Sequence, residues 1–181
     1  GVDMAVPEYL NLPFFEPRHR DYALALDAWA ESHLPELLRE DERDAAGTTR
    51  RVVAALASGG WLQSAVSSGS GYGHDSLALC LSRDILASHG ALADFAFGMQ
   101  GLGSGPIVLF GDAGQRESYL PAVAAGDKIA AFALTEPDAG SDVAALQATA
   151  RREGDEYVID GVKVFISNAG LADFYVVFAR T

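Results

Sequence analysis

Cysteine is nearly absent from this chain. Its 181 residues include one, Cys80, so no intrachain disulfide can staple the fold. A lone thiol fits a reducing compartment, and a cytoplasmic location is expected. Cys80 lies in an apolar, helix-patterned run, which predicts a core packing role. Basic residues are also few, 13 Lys and Arg against 25 Asp and Glu, for a formal net charge of −12. That balance disfavours nucleic acid and anionic membrane surfaces as partners, while leaving room for a local basic spot. No apolar run approaches the roughly 20 residues that span a bilayer. Gly1 to Pro13 lacks a basic start and a long apolar core, so no signal peptide is read there. Metal-ligand spacing is missing too. His19, His33, His74 and His89 form no His-x-x-x-His pair, and no cysteines cluster. Solvated or packing roles are expected for all four.

What is present is a globular composition, 49% hydrophobic and 21% charged, in a chain long enough for one or two domains. The pattern changes near Gly126. Before it the periodicity is helical. Pro17 suits a first helical turn, and Tyr22, Leu26, Trp29 and His33 define one face. Pro35 is expected to end or kink that helix. Arg39 to Asp44 mixes signs and reads as a solvated face. Gly47 reads as a stop, Thr48 or Thr49 as the next cap, and Gly59-Gly60 as the following end. Ser64 to His74, with Gly69, Gly71 and Gly73, fits neither a Walker loop nor a dinucleotide fingerprint and reads as a plain loop. Asp75 or Ser76 should cap a long helix over 76–98 carrying Leu77, Leu81, Ile85, Ser88 and Leu92 on one side. Phe95, Phe97 and Met99 extend its apolar surface as core or subunit contact. A short apolar segment, Pro106 to Phe110, and a helix from Asp112 to Ala125 follow.

After Gly126 the period becomes that of strands. Lys128 to Leu134, Ala145 to Arg152, Tyr157 to Ile159, Val162 to Ile166 and Phe174 to Arg180 are the candidates. Asp160-Gly161 between two β-rich runs predicts a two-residue hairpin turn. The most informative stretch is Thr135-Glu136-Pro137-Asp138-Ala139-Gly140-Ser141-Asp142, directly after an apolar strand. It gathers two hydroxyls and several backbone N–H groups, and Gly140 lets a ligand approach the backbone. Such a set suits a phosphate or the polar edge of a heterocycle. A structural turn is the other reading.

Three blocks carry a resemblance to a known family. They are Phe132 to Asp142; Asp160-Gly161-x-Lys163-x-Phe165-Ile166-Ser167-Asn168-Ala169-Gly170; and Gly111-x-x-x-Gln115-x-x-x-Tyr119-Leu120-Pro121-x-x-Ala124-x-Gly126. In order and spacing they resemble the acyl-CoA dehydrogenase family, over roughly the whole chain and most closely after Gly111. The resemblance implies an α+β fold, with an all-helical N-terminal domain over 1–126 and the first part of a small β-barrel or sandwich domain over 127–181. The expected fold is incomplete: further strands and a C-terminal helical domain are looked for beyond Thr181, and the fragment alone should not turn over. In the family a Pro-Glu-x-x-Gly-Gly stretch often stands where this chain has the Gly69 loop, so no ligand contacts are carried onto that loop.

The family's chemistry, by the same resemblance, is FAD-dependent oxidation of an acyl-CoA thioester. A carboxylate takes the α-proton while hydride leaves Cβ for flavin N5. FAD is the implied cofactor, with the protein supplying position and electrostatics. Phe132, Leu134 and Thr135 match positions around the pyrimidine side. Phe165, where many relatives carry Trp, would cover a ring face. The Ile166 amide would meet the polar edge, and Ser167 would approach N5. Gly140 and Ser141 match positions near the pyrophosphate, Ser141 also near the pantetheine-bearing substrate. The region of Phe95 to Met99 borders the acyl chain in the family. No catalytic residue is assigned: the family's base is a glutamate in its C-terminal domain, and Glu136 reads as structural or solvent-facing. Implied partners are an acyl-CoA thioester, an electron-transfer flavoprotein or other acceptor, and further copies in a homodimer or homotetramer. The same fold could serve a flavin monooxygenase, an acyl-carrier-protein dehydrogenase, or a non-catalytic subunit of a two-chain enzyme.

Overall fold

A computed structural model describes residues 7–39, 43–66 and 75–181. The plain-loop reading of Gly69, Gly71 and Gly73, together with His74, lies outside those residues. Among the described residues, a 3-10 turn (Glu8–Asn11) leads into α1 (Pro17–Leu37), α2 (Ala45–Ser58), the short α3 (Gln63–Val66), α4 (Ser76–His89), α5 (Ala91–Phe110) and α6 (Ala113–Ala124). Strand β1 (Ala130–Ala133) follows. A 3-10 turn (Val143–Ala145), β2 (Thr149–Glu153), β3 (Glu156–Asp160) and β4 (Phe174–Val177) complete the order. This is a helical N-terminal part joined to a partial sheet.

Local chemistry explains most helix ends. Pro17 opens α1, and the Glu16 N–H donates to His19 Nδ1 at 3.0 Å. The buried stripe of α1 is His19, Ala23, Leu26, Ala30 and Leu34, at helical spacing. Tyr22 and Trp29 flank that stripe against Trp61, and the predicted fourth member, His33, is exposed and stacks on Trp29. Pro35 does not stop the helix, which runs to Leu37. Asp44, not Thr48 or Thr49, caps α2, accepting the Gly47 N–H at 2.9 Å. Gly47 is therefore a first-turn residue, and both threonines are buried within the helix. Asp75 and Asp112 cap α4 and α6 as expected.

The helix expected over 76–98 is instead two. Gly90 is extended (φ 168°, ψ 135°), with Leu38 packed against it, and it ends α4 and starts α5. The apolar period runs through the break, which hides it in the sequence. Pro106 to Phe110 belongs to α5, which gives up one backbone bond to carry a proline inside. Cys80 is exposed, because it points away from the buried side of α4 formed by Ala78, Leu81, Ser82, Ile85 and Leu86.

Helix α5 joins the helical core to the sheet. A Cβ on Gly103 would stand 2.5 Å from Ala130 Cβ, so only glycine permits this approach of helix to strand. Gln100, fully buried, accepts the Ala130 N–H at 2.9 Å and donates to the Lys128 carbonyl at 2.8 Å. Strand β1 pairs in parallel with β4, Ala130 opposite Phe174 through Ala133 opposite Val177. The observed hairpin is β2 with β3, turning at Gly154-Asp155 where Gly154 has φ +66°. The expected hairpin at Asp160-Gly161 does not form, and Val162 to Ile166 is not a strand. Gly161 (φ +149°) presses against Ala148, and the backbone beyond it turns to the end of β1 instead of folding back on β3.

Candidate functional site: two loops at the end of the first strand

The chain leaves β1 through Leu134 and Thr135. The loop 163–168 lies along β1 and its exit and is tied to them at three places. Lys163 Nζ donates to the Leu134 carbonyl at 2.9 Å. The Val164 N–H donates to the Thr135 carbonyl at 3.0 Å. Asn168 Nδ2 donates to the Ala130 carbonyl at 3.0 Å, from a left-handed backbone (φ +64°). Thr135 and Ser167, far apart in sequence, thus stand on loops bonded to one another. Both are half-buried, and neither hydroxyl bonds any described residue.

Phe165 sits between two of these ties. It is 92% exposed and has φ +55°. A bulky residue in that region costs about 1–3 kcal/mol and persists only where its surroundings impose it. It is therefore not the core residue that a hairpin would have made of it. Ile166 is half-buried beside it.

Glu136 is the reverse case. Its side chain is only 5% exposed. One oxygen accepts from Lys163 Nζ at 2.8 Å and from the Ala148 N–H at 3.0 Å, and the other accepts from the Gln147 N–H at 2.6 Å. The Lys163 ammonium first, then these backbone donors, hold the carboxyl down from its ordinary 4.5 to about 2. Beyond it, Ala139 is bridged back to Glu136, while Gly140 and Ser141 are exposed on the turn, with open space around Gly140. No hydrogen bond links Gly140 or Ser141 to the 163–168 loop among the described residues.

Phe132 lies on β1, its ring centroid 4.9 Å from that of Phe178. It lines an apolar groove of about 360 Å³ with Gly98, Gly101, Leu102, Pro106 and Phe110 of α5. Phe97 reaches the same groove from the core, whereas Phe95 and Met99 are only half-buried and do not line it. Lys163 and Asn168 stand in the second matched block, but the sequence assigned neither of them a contact. Val162-Lys163-Val164 has the alternation of a half-exposed strand, and no local pattern announces a lysine whose partners are 27 and 29 residues away.

Known proteins match this chain. The model of the acyl-CoA dehydrogenase N-terminal domain matches residues 16–127, and that of the middle domain matches residues 131–181. The chain belongs to the acyl-CoA dehydrogenase family. An acyl-CoA dehydrogenase of Bacillus subtilis (strain 168) is 46% identical over 80 residues, 44% of this chain and 21% of that relative. Among solved structures, an acyl-CoA dehydrogenase from Bacillus anthracis complexed with FAD superposes with a TM-score of 0.77 at 33% identity, covering 96% of this chain and 30% of that one. A glutaryl-CoA dehydrogenase from Mycobacterium smegmatis in complex with FADH2 gives 0.77 at 25% identity, covering 96% and 45%. The chain thus spans less than half the length of these relatives.

Proposed function

We propose that this chain carries the flavin-contacting segment of an FAD-dependent enzyme that oxidises an acyl-CoA thioester at its α,β bond. The observation that carries the proposal is the pairing of Thr135 and Ser167. Two half-buried hydroxyls without partners among the described residues, on loops bonded to each other, stand beside an exposed aromatic on strained backbone. Such a set fits a flat heterocycle with acceptors along one edge. Bound FAD would supply the acceptor for the hydride that leaves the β-carbon.

The chain's own residues would bind and orient. Thr135, through its hydroxyl, and Leu134, through its backbone, would hold the pyrimidine side. The Ile166 amide would meet the same polar edge, and Ser167 would approach N5. Phe165 would trade exposure to water for a ring face. Gly140 would admit the diphosphate, and Ser141 would face the pantetheine arm. The groove beside Phe132 would take the apolar acyl chain. Glu136 does not serve as the base for the α-proton. Its carboxylate is committed to Lys163 and two backbone donors, and a group held at about 2 is a poor proton acceptor near neutrality.

Spectroscopy tests the proposal. The protein as its gene encodes it should purify yellow and release FAD on denaturation. Anaerobic addition of acyl-CoAs of graded length should bleach the visible flavin bands. Colourless protein that takes up no added FAD would refute the flavin site, while a flavoprotein bleached by no acyl-CoA would refute the substrate class.

A further inference from the structure

The ion pair between Lys163 and Glu136 sits where a fold has little need of one. Glu136 is buried, its side chain 5% exposed, and Lys163 is largely covered at 12%. Taking charges out of water is costly, and a well-packed apolar pair is often at least as stable. What the pair adds is choice of partner, because an ammonium withdrawn from water needs protein acceptors for its donors. Here the donors go to the two neighbours of one residue. Lys163 Nζ binds the Leu134 carbonyl on one side of Thr135 and the Glu136 carboxylate on the other. The carbonyl of Thr135 itself accepts from Val164, the residue after Lys163. Glu136 extends the arrangement to Gln147 and Ala148, at the entry to β2. Three segments, 134–136, 147–148 and 163–164, therefore converge on one charge pair, and Thr135 has no freedom to move independently of the 163–168 loop.

We infer that Lys163 and Glu136 are positioning residues for flavin binding: the pair sets the place of the Thr135 hydroxyl relative to Ser167 across the two loops. Neither touches the flavin. The inference rests on the flavin reading above, and it assigns a role to a lysine and a glutamate that the reaction itself does not use.

A double-mutant cycle on the FAD dissociation constant tests it, in the protein as its gene encodes it. Lys163→Met and Thr135→Val are each expected to weaken FAD about 10-fold, a coupling of ordinary size for one hydrogen-bond network. If Lys163 acts through Thr135, the double variant should also be weakened about 10-fold, because the second change removes a contact already lost. Effects that multiply to about 100-fold, or a Lys163→Met variant that binds FAD like wild type, would overturn the inference and leave the flavin site standing. Wild-type protein that takes up no FAD would overturn both. Should Lys163→Met fail to fold, Glu136→Gln repeats the cycle, since its side-chain carbonyl still accepts from Ala148. Loss of fold in both variants would assign the pair to stability alone and refute the positioning role.

Discussion

Thr135 and Ser167 each bring one hydroxyl that has no partner among the described residues. A hydrogen bond of this kind contributes about 0.5–1.5 kcal/mol, or roughly 2- to 13-fold in affinity. Ser167→Ala is therefore expected to weaken FAD by that factor with far-UV circular dichroism unchanged, and isothermal titration would show it. An unchanged affinity would return Ser167 to the role of a turn former. Glu136 answers to pH instead. Its carboxyl is held below its unfolded value, so its contribution to stability is complete above about 4.5 and is lost as pH falls toward about 2. Wild type should exceed Glu136→Gln in stability at neutral pH, and the gap should close between those two values. Urea titrations at several pH values measure this, and a gap that persists at pH 2 would contradict the ion-pair account. The sequence offered Thr135 and Ser167 through their motifs, but it gave no sign that Glu136 is buried or that Lys163 is its partner.

Elements were legible where their ends are made by neighbours in sequence. Asp75 and Asp112 cap the helices that follow them, and Gly59 closes α2, all by contacts within four residues. Elements set by distant contacts were misread. The Asp160-Gly161 pair looked like a hairpin turn, yet Gly154-Asp155, at the other end of β3, is the turn that forms. The choice is made by Lys163, Val164 and Asn168, which bond to β1 and its exit rather than to β3. Gly161 is the pivot of that choice, since a Cβ there would stand 2.6 Å from Ala148 Cβ on a backbone with φ +149°. Gly161→Ala is expected to destabilise the fold by about 1–3 kcal/mol and to weaken FAD at the same time. Denaturant unfolding followed by flavin fluorescence would report both, and a variant as stable as wild type would show that this contact is relieved easily.

Across the whole molecule, the three sequence blocks were enough to reach the family, and the helical part with its partial sheet agrees with that family's solved structures. What no block could reveal is how much apolar surface stays open. Phe110, Leu109, Leu102 and Val162 are exposed, in addition to Phe165. Exposed apolar area of this kind promotes association. Residues 1–181 expressed as they stand should therefore elute from a sizing column as oligomers, and a monodisperse monomer would contradict this.

The central claim is that the exit of β1 and the 163–168 loop together hold a flavin. A crystal structure of the protein grown with FAD tests it most directly. The expected result places the polar edge of the flavin within about 3.2 Å of the Thr135 and Ser167 oxygens, with Phe165 against the ring. A flavin bound elsewhere, or density for FAD that leaves both hydroxyls in water, would contradict it.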